Sequence, residues 1–198
     1  MKVIYGGADR IDRDEALRYL GYMRGAAPSD EVEAELAACE GEVLSSCRLA
    51  AVYAHFSVTR GERLDLGFTS TDSRDIAKYL SGCGGLVLFA ATAGAGIDRL
   101  IAKYARLSPS RAAIVQALGS ALAEQWCNQV HARIRGEYAA LSARFSPGYG
   151  DFPLAIQRDV FAALHVTKNI GVTLSEELFM TPSKSVTAIV GIKDDVQR

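Results

Sequence analysis

Two stretches of this 198-residue chain gather residue types that could do chemistry. The first is Gly94-Ala-Gly96, between a continuous apolar run over 85–92 and a segment carrying Leu100, Ile101 and Tyr104 at helical spacing. Backbone amides and a helix N-terminus converge at such a turn, which is what a phosphate cradle requires. The dinucleotide fingerprint is incomplete here. Its third glycine would fall at Arg99, and no strand ends in Asp or Glu about 20 residues on, where a ribose contact belongs. A plain strand-to-helix turn is the expectation, with nucleotide binding through Gly94 and Gly96 as an alternative.

The second stretch is Arg144-Phe-Ser146-Pro-Gly148-Tyr149. An arginine can grip a carboxylate through two parallel hydrogen bonds, and a flexible glycine beside an aromatic lets a ligand lie close to the chain. No nucleophile–base pair accompanies these residues, so no catalytic residue is assigned. Metal chemistry is not expected either. Cys39, Cys47, Cys83 and Cys127 form no Cys-x-x-Cys pair, and His55, His131 and His165 are scattered, whereas zinc and iron–sulfur sites need clustered ligands.

Composition narrows the partners. Lys and Arg number 22 against 23 Asp and Glu, for a net charge of -1. Nucleic-acid and anionic-membrane binders normally carry a basic excess. No apolar run approaches the roughly 20 residues that span a bilayer, and the first ten residues lack a secretory apolar stretch. The expectation is a soluble, cytoplasmic chain with reduced cysteines.

The elements that must position these residues follow from caps and periodicity. Residues 1–48 read as a helical N-terminal segment of a single 1–198 domain. Asp12 caps a first helix, with Glu15 three later and Gly21 as the stop; Ser29 opens a second through Val32, Leu36 and Val43. Residues 49–58 read as a strand, 63–68 as its hairpin partner after Thr59-Arg-Gly-Glu62, and 85–92 as a buried strand. Ser73 caps a short helix over 74–80. Ser108-Pro109 starts the longest helix, which the spacing of Val115, Leu118, Leu122, Trp126 and Val130 carries to about Leu141. A further helix is expected over 153–164, a helical turn over 167–171, and two final strands over 173–180 and 185–192. Helices and strands fall in separate groups, which favours α+β over a doubly wound sheet.

With these pieces in view the chain resembles the S-adenosylmethionine-binding activation domain of cobalamin-dependent methionine synthase. The resemblance is carried by Arg144-x-x-x-Gly148-Tyr149, by Thr167-Lys-Asn-Ile-Gly-Val-Thr-Leu-Ser-Glu176 and by Met180-Thr-Pro-Ser-Lys-Ser-Val-Thr187. Ile11-Asp-Arg-Asp-Glu-Ala-Leu-Arg-Tyr-Leu-Gly-Tyr22, Asp75-Ile-Ala-Lys-Tyr-Leu-Ser-Gly-Cys83 and Gly119-Ser-Ala-Leu-Ala-Glu124 resemble the free-standing form of that domain.

The resemblance implies an α+β fold with a twisted antiparallel sheet and a groove for S-adenosylmethionine. It implies a reactivation subunit for a synthase whose cobalamin has been oxidised. That synthase regains methylcobalamin from one electron of a flavodoxin- or ferredoxin-type donor and a methyl of S-adenosylmethionine. Any cobalamin would belong to the partner, a methionine synthase or another corrinoid methyltransferase. By the same transfer Arg144 would hold the ligand carboxylate, and the backbone at Ser146 its adenine or ribose side. Gly148 would allow close approach, Tyr149 would wall the sulfonium, and Glu124 would face the ammonium or sulfonium. Glu176 and Glu177 would stand behind the site, and Ser183, Lys184 and Ser185 would form a family turn.

The sequence departs from the pattern in three places. Gly150-Asp151 follows Gly148-Tyr149 where the family usually has proline, which here arrives at Pro153. The fused domain's tyrosine-containing segment after the last strand has no counterpart before Arg198, and its acidic contact near the start has no aligned position. These departures predict a pocket that is more open, or completed by a partner. A scaffold that has kept the fold and lost the ligand is a further alternative.

Overall fold

The computed structural model describes residues 1–138 and 140–193. Its centre is a four-stranded antiparallel sheet of order β1-β2-β6-β9, formed by β1 (Lys2–Gly6), β2 (Leu49–Ser57), β6 (Cys83–Thr92) and β9 (Ser185–Lys193). Residue 53 faces 89 and 89 faces 188 across the ladders. Side chains alternate between the faces of a strand. Tyr53, Val87, Phe89, Ala91 and Val190 therefore enter one core, and Val52, Leu86, Leu88, Ala90 and Ile189 the other. Both faces are covered, which is why the 85–92 run is continuously apolar rather than alternating.

The first face carries α1 (Arg13–Tyr19), α2 (Asp30–Ser46), α4 (Ala95–Leu107) and α5 (Pro109–Arg135). Asp12 accepts the Glu15 amide at 3.1 Å and Ser29 the Val32 amide at 3.4 Å, so both expected caps form. Ser108 accepts the Arg111 amide at 3.4 Å, and Pro109 takes the first helical position of α5. Leu118 and Leu122 of α5 are fully buried, each worth about 1.5–3 kcal/mol relative to exposure. The other face carries α3 (Arg74–Tyr79), α6 (Gln157–Leu164), entered through a 3-10 turn over Leu154–Ile156, and α7 (Val166–Ile170).

Four expectations need correction. Residues 2–6 are an edge strand paired with β2, so 1–48 is not wholly helical. The hairpin after β2 is its own small sheet, β3 (Thr59–Arg60), β4 (Leu64–Asp65) and β5 (Ser70–Thr71), rather than a return along β2. Helix α5 stops at Arg135, where the Gly136 amide closes on the Ala132 and Arg133 carbonyls. Residues 173–180 make only β7 (Thr173–Leu174) and the start of β8 (Met180–Thr181). Between them Ser175 turns the chain, its amide donating to the Phe179 carbonyl at 2.9 Å and its hydroxyl oxygen accepting the Phe179 amide at 3.2 Å. The α+β class with a twisted antiparallel sheet stands.

The four cysteines are buried, and none forms a disulfide among the described residues. Among the described residues no His, Cys, Asp and Glu cluster could hold a metal, and no helix is long and apolar enough to cross a membrane.

Candidate functional site

The chain from Leu141 to Phe145 runs antiparallel beside β9 at the edge of the sheet. The Ser142 amide donates to the Gly191 carbonyl at 3.0 Å, and Phe145 and Ile189 exchange amide–carbonyl bonds of 2.9 and 2.7 Å. This irregular fifth strand places successive side chains on opposite faces. Phe145 packs into the second core, beside Tyr79 at 4.9 Å and Phe152 at 6.1 Å between ring centroids. Arg144 turns the other way and meets α5.

There Arg144 Nη2 donates to Glu124 Oε1, forming an ion pair whose side chains are 21% and 39% exposed. Arg144 Nη1 is buried and has no partner among the described residues. The guanidinium is thus half neutralised and keeps unused donor capacity. Its field reaches the rest of this helix face. Burial pushes the Cys127 thiol up to about 12, with Arg144 opposing and Glu124 adding to the shift. Burial, then Arg135 and Arg144, hold the His131 imidazole below its usual range.

Glu124 also lines a groove of about 900 Å³ between α5 and the 10–15 segment, with Gln125 and Asn128 on its side and Arg10, Asp12 and Arg13 opposite. The walls are tied together. The Asp12 amide donates to Gln125 Oε1 and Gln125 Nε2 to the Arg10 carbonyl, both at 3.1 Å. Arg144 therefore meets the groove through Glu124, whose carboxylate it holds.

Ser146, Gly148 and Tyr149 form the turn that follows. The Ser146 carbonyl accepts the Tyr149 amide at 3.2 Å, and the Gly148 amide donates to the Phe152 carbonyl at 2.9 Å. Gly148 has φ 95, a conformation that side chains oppose. Tyr149 is 66% exposed, its ring 6.2 Å from that of Phe145. The structure thus brings Arg144 and Glu124 into contact and sets Ser146, Gly148 and Tyr149 on the adjoining turn.

Asp151, the departure from the family's proline, is explained by a cap. Its carboxylate accepts the Ser73 hydroxyl and the Arg74 and Asp75 amides at the start of α3, and these bonds hold it below the usual carboxylate range. Glu176 and Glu177 lie on the exposed turn before β8; the Glu176 carbonyl accepts from Arg158 at 2.7 Å. In the 183–185 turn Asp98 accepts the Ser183 amide at 2.8 Å, while Lys184 Nζ donates to Ser120 at 2.8 Å.

The glycine turn is a packing device. A side chain at Gly96 would lie 2.0 Å from the Ser46 carbonyl oxygen, and one at Gly94 would press on Arg48 at 3.0 Å. The end of α2 and Arg48 just after it thus account for both glycines by packing. Sequence reasoning missed Asp12 as a groove wall, because its capping role explained it fully. It also missed His131, a lone histidine whose four- and seven-residue spacing from Arg135 and Glu124 was the available signal.

The whole chain superposes on a solved structure, described as the crystal structure of the MetH reactivation domain bound to AdoHcy. The TM-score is 0.76, covering 79% of that chain at 18% identity. At that identity the likeness establishes the class of fold, a reactivation-domain fold. The family described as vitamin B12 dependent methionine synthase, activation domain, matches residues 76–197, and this chain belongs to it. No curated protein matches.

Proposed function

We propose that this chain binds S-adenosylmethionine at the Arg144–Glu124 end of the groove and acts as a free-standing reactivation subunit for a cobalamin-dependent methionine synthase. The observation that carries this reading is the half-used guanidinium, with Nη2 on Glu124 and Nη1 buried without a partner. The amino-acid end of the ligand is a zwitterion. It enters an ion pair without changing the net charge: its carboxylate takes donors of Arg144 and its ammonium takes Glu124. Gly148 keeps the neighbouring turn close to the chain, Ser146 offers backbone to the nucleoside side, and the exposed Tyr149 ring is free to cover a sulfonium face. The fold neighbour's AdoHcy, the demethylated counterpart, supports the same ligand class.

When bound, S-adenosylmethionine supplies an electrophilic methyl group, and the partner's corrinoid, reduced by a flavodoxin- or ferredoxin-type donor, accepts it. The role of this chain is to bind and orient the methyl donor and to present it to that partner. The same geometry would serve another corrinoid methyltransferase, and co-purification with each candidate decides the client.

Calorimetric titration with S-adenosylmethionine tests the site. Saturable binding is expected for the wild type and loss of at least about tenfold in affinity for Arg144→Ala, one charge-assisted contact being worth about 1.5–3 kcal/mol. Undiminished binding by Arg144→Ala would overturn the assignment. If binding appears only when a synthase is present, the partner completes the pocket.

A further inference from the structure

Two buried polar atoms, one on α5 and one on the edge segment beside it, have no hydrogen-bond partner among the described residues. One is Arg144 Nη1; the other is His131 Nε2. His131 lies seven residues after Glu124 on α5, two turns along the same helix face. Arg144 is fixed to Glu124, and its charge acts on both Cys127 and His131, three and seven residues further along α5. Buried polar atoms are normally satisfied, and each exception calls for a cause. A cationic donor and an imidazole nitrogen left open along this stretch of α5 fit an anionic guest with two oxygens.

We infer that His131 is a further ligand-binding residue, its Nε2–H sharing the carboxylate of the ligand's amino-acid end with Arg144. This rests on the reading that the site takes S-adenosylmethionine. The inference identifies which end of the ligand lies against the second half of α5.

The electrostatics give it a signature. The charged groups acting on His131 are Arg135 from its own helix and Arg144 from the edge segment, both opposing a proton. Cys127, one turn earlier, is a neutral thiol, and Glu124 is engaged by Arg144. A carboxylate arriving between Arg144 and His131 reverses the sign of that field and favours the imidazolium. Ligand binding therefore raises the His131 pKa and takes up protons near neutral pH.

The test follows the His131 imidazole by NMR across pH 5–8, with and without S-adenosylmethionine and, separately, S-adenosylhomocysteine. Calorimetry in buffers of different ionisation enthalpy runs alongside. The expected result is an upward shift of the His131 titration with either ligand and a buffer-dependent binding enthalpy. His131→Gln, which keeps a donor at that end of the side chain, should retain most of the affinity and lose the proton uptake; His131→Leu should lose about tenfold or more. Binding that leaves the His131 titration unmoved, or a His131→Leu chain that binds like wild type with an unchanged circular dichroism spectrum, overturns this inference and leaves the site reading intact. Failure of both ligands to bind, alone or with a synthase, overturns both.

Discussion

Asp151 closes the N-terminus of a helix that begins 77 residues earlier, taking the Arg74 amide at 2.8 Å, the Asp75 amide at 3.1 Å and the hydroxyl of Ser73. Asp75 returns the contact, its carboxylate accepting the Asp151 amide at 3.0 Å. The pair ties the turn carrying Gly148 and Tyr149 to α3. A side chain at Gly150 would collide with Asp75 Oδ2, so glycine is required beside it. A carboxylate on a helix end thus stiffens this turn.

That device is pH-dependent. The folded-state pKa of Asp151 lies below its unfolded value, so its contribution is present above the unfolded value and is lost as pH falls through the folded one. Asp151→Asn should lower the urea midpoint at pH 7, with the gap to wild type closing below about pH 4. Urea titrations of both proteins at pH 7, 5 and 3.5 check this. A constant gap would show that the bonds do not depend on charge.

Tyr149 offers a cleaner separation of binding from stability. Its ring is largely exposed, and exposed substitutions away from special features usually shift stability within about 0.5 kcal/mol. Tyr149→Ala should melt within 2–4 °C of wild type while binding S-adenosylmethionine several-fold more weakly, since a ring over a cation is worth about 0.5–2 kcal/mol. Differential scanning calorimetry and ligand titration on the same preparation decide it. Unchanged affinity would remove Tyr149 from the site.

Which features were legible follows from where their causes lie. Asp12, Ser29, Ser73 and Ser108 announce helix starts because a cap is satisfied within three residues. The pair Arg144–Glu124 was named as two separate candidates. Their contact depends on the edge segment 141–145 pairing with β9, a non-local event that no local pattern reports. Strand β1 escaped notice for a similar reason: its five residues are mostly exposed, so they carry no apolar alternation, and only pairing with β2 makes them a strand. Residues 173–180 carry strand-forming Thr, Val and Leu neighbours, yet the Ser175–Phe179 turn prevails because its backbone bonds close locally.

The glycine turn can be tested apart from the ligand site. Gly96→Ala places a methyl about 2 Å from the Ser46 carbonyl, and overpacking of this kind costs about 1–3 kcal/mol or more. The variant should unfold at lower urea than wild type. Thermal shift with ATP or NAD should show no stabilisation of either protein. Protection of the wild type by a nucleotide would revive the phosphate-cradle reading of Gly94 and Gly96.

Lys184 presents the opposite balance from Asp151. It is only 7% exposed, its Nζ donates to Ser120, and burial depresses its pKa, with Asp98 only partly opposing. Because the unfolded chain binds the proton more tightly, stability rises with pH in the window between the depressed folded value and the unfolded value of about 10.4. Burying an ammonium for a single hydroxyl contact is a poor exchange, since desolvation of the charge can exceed the gain. Lys184→Met keeps the stem that packs beside Gly119 and removes the charge. We expect its stability at pH 7 to equal wild type within about 1 kcal/mol or to exceed it, with wild type gaining on the variant as pH rises through the depressed folded value toward the unfolded one. A loss beyond about 2 kcal/mol at every pH would instead assign the Nζ–Ser120 bond the task of holding the 183–185 turn against α5. In that case Ser120→Ala should reproduce the loss.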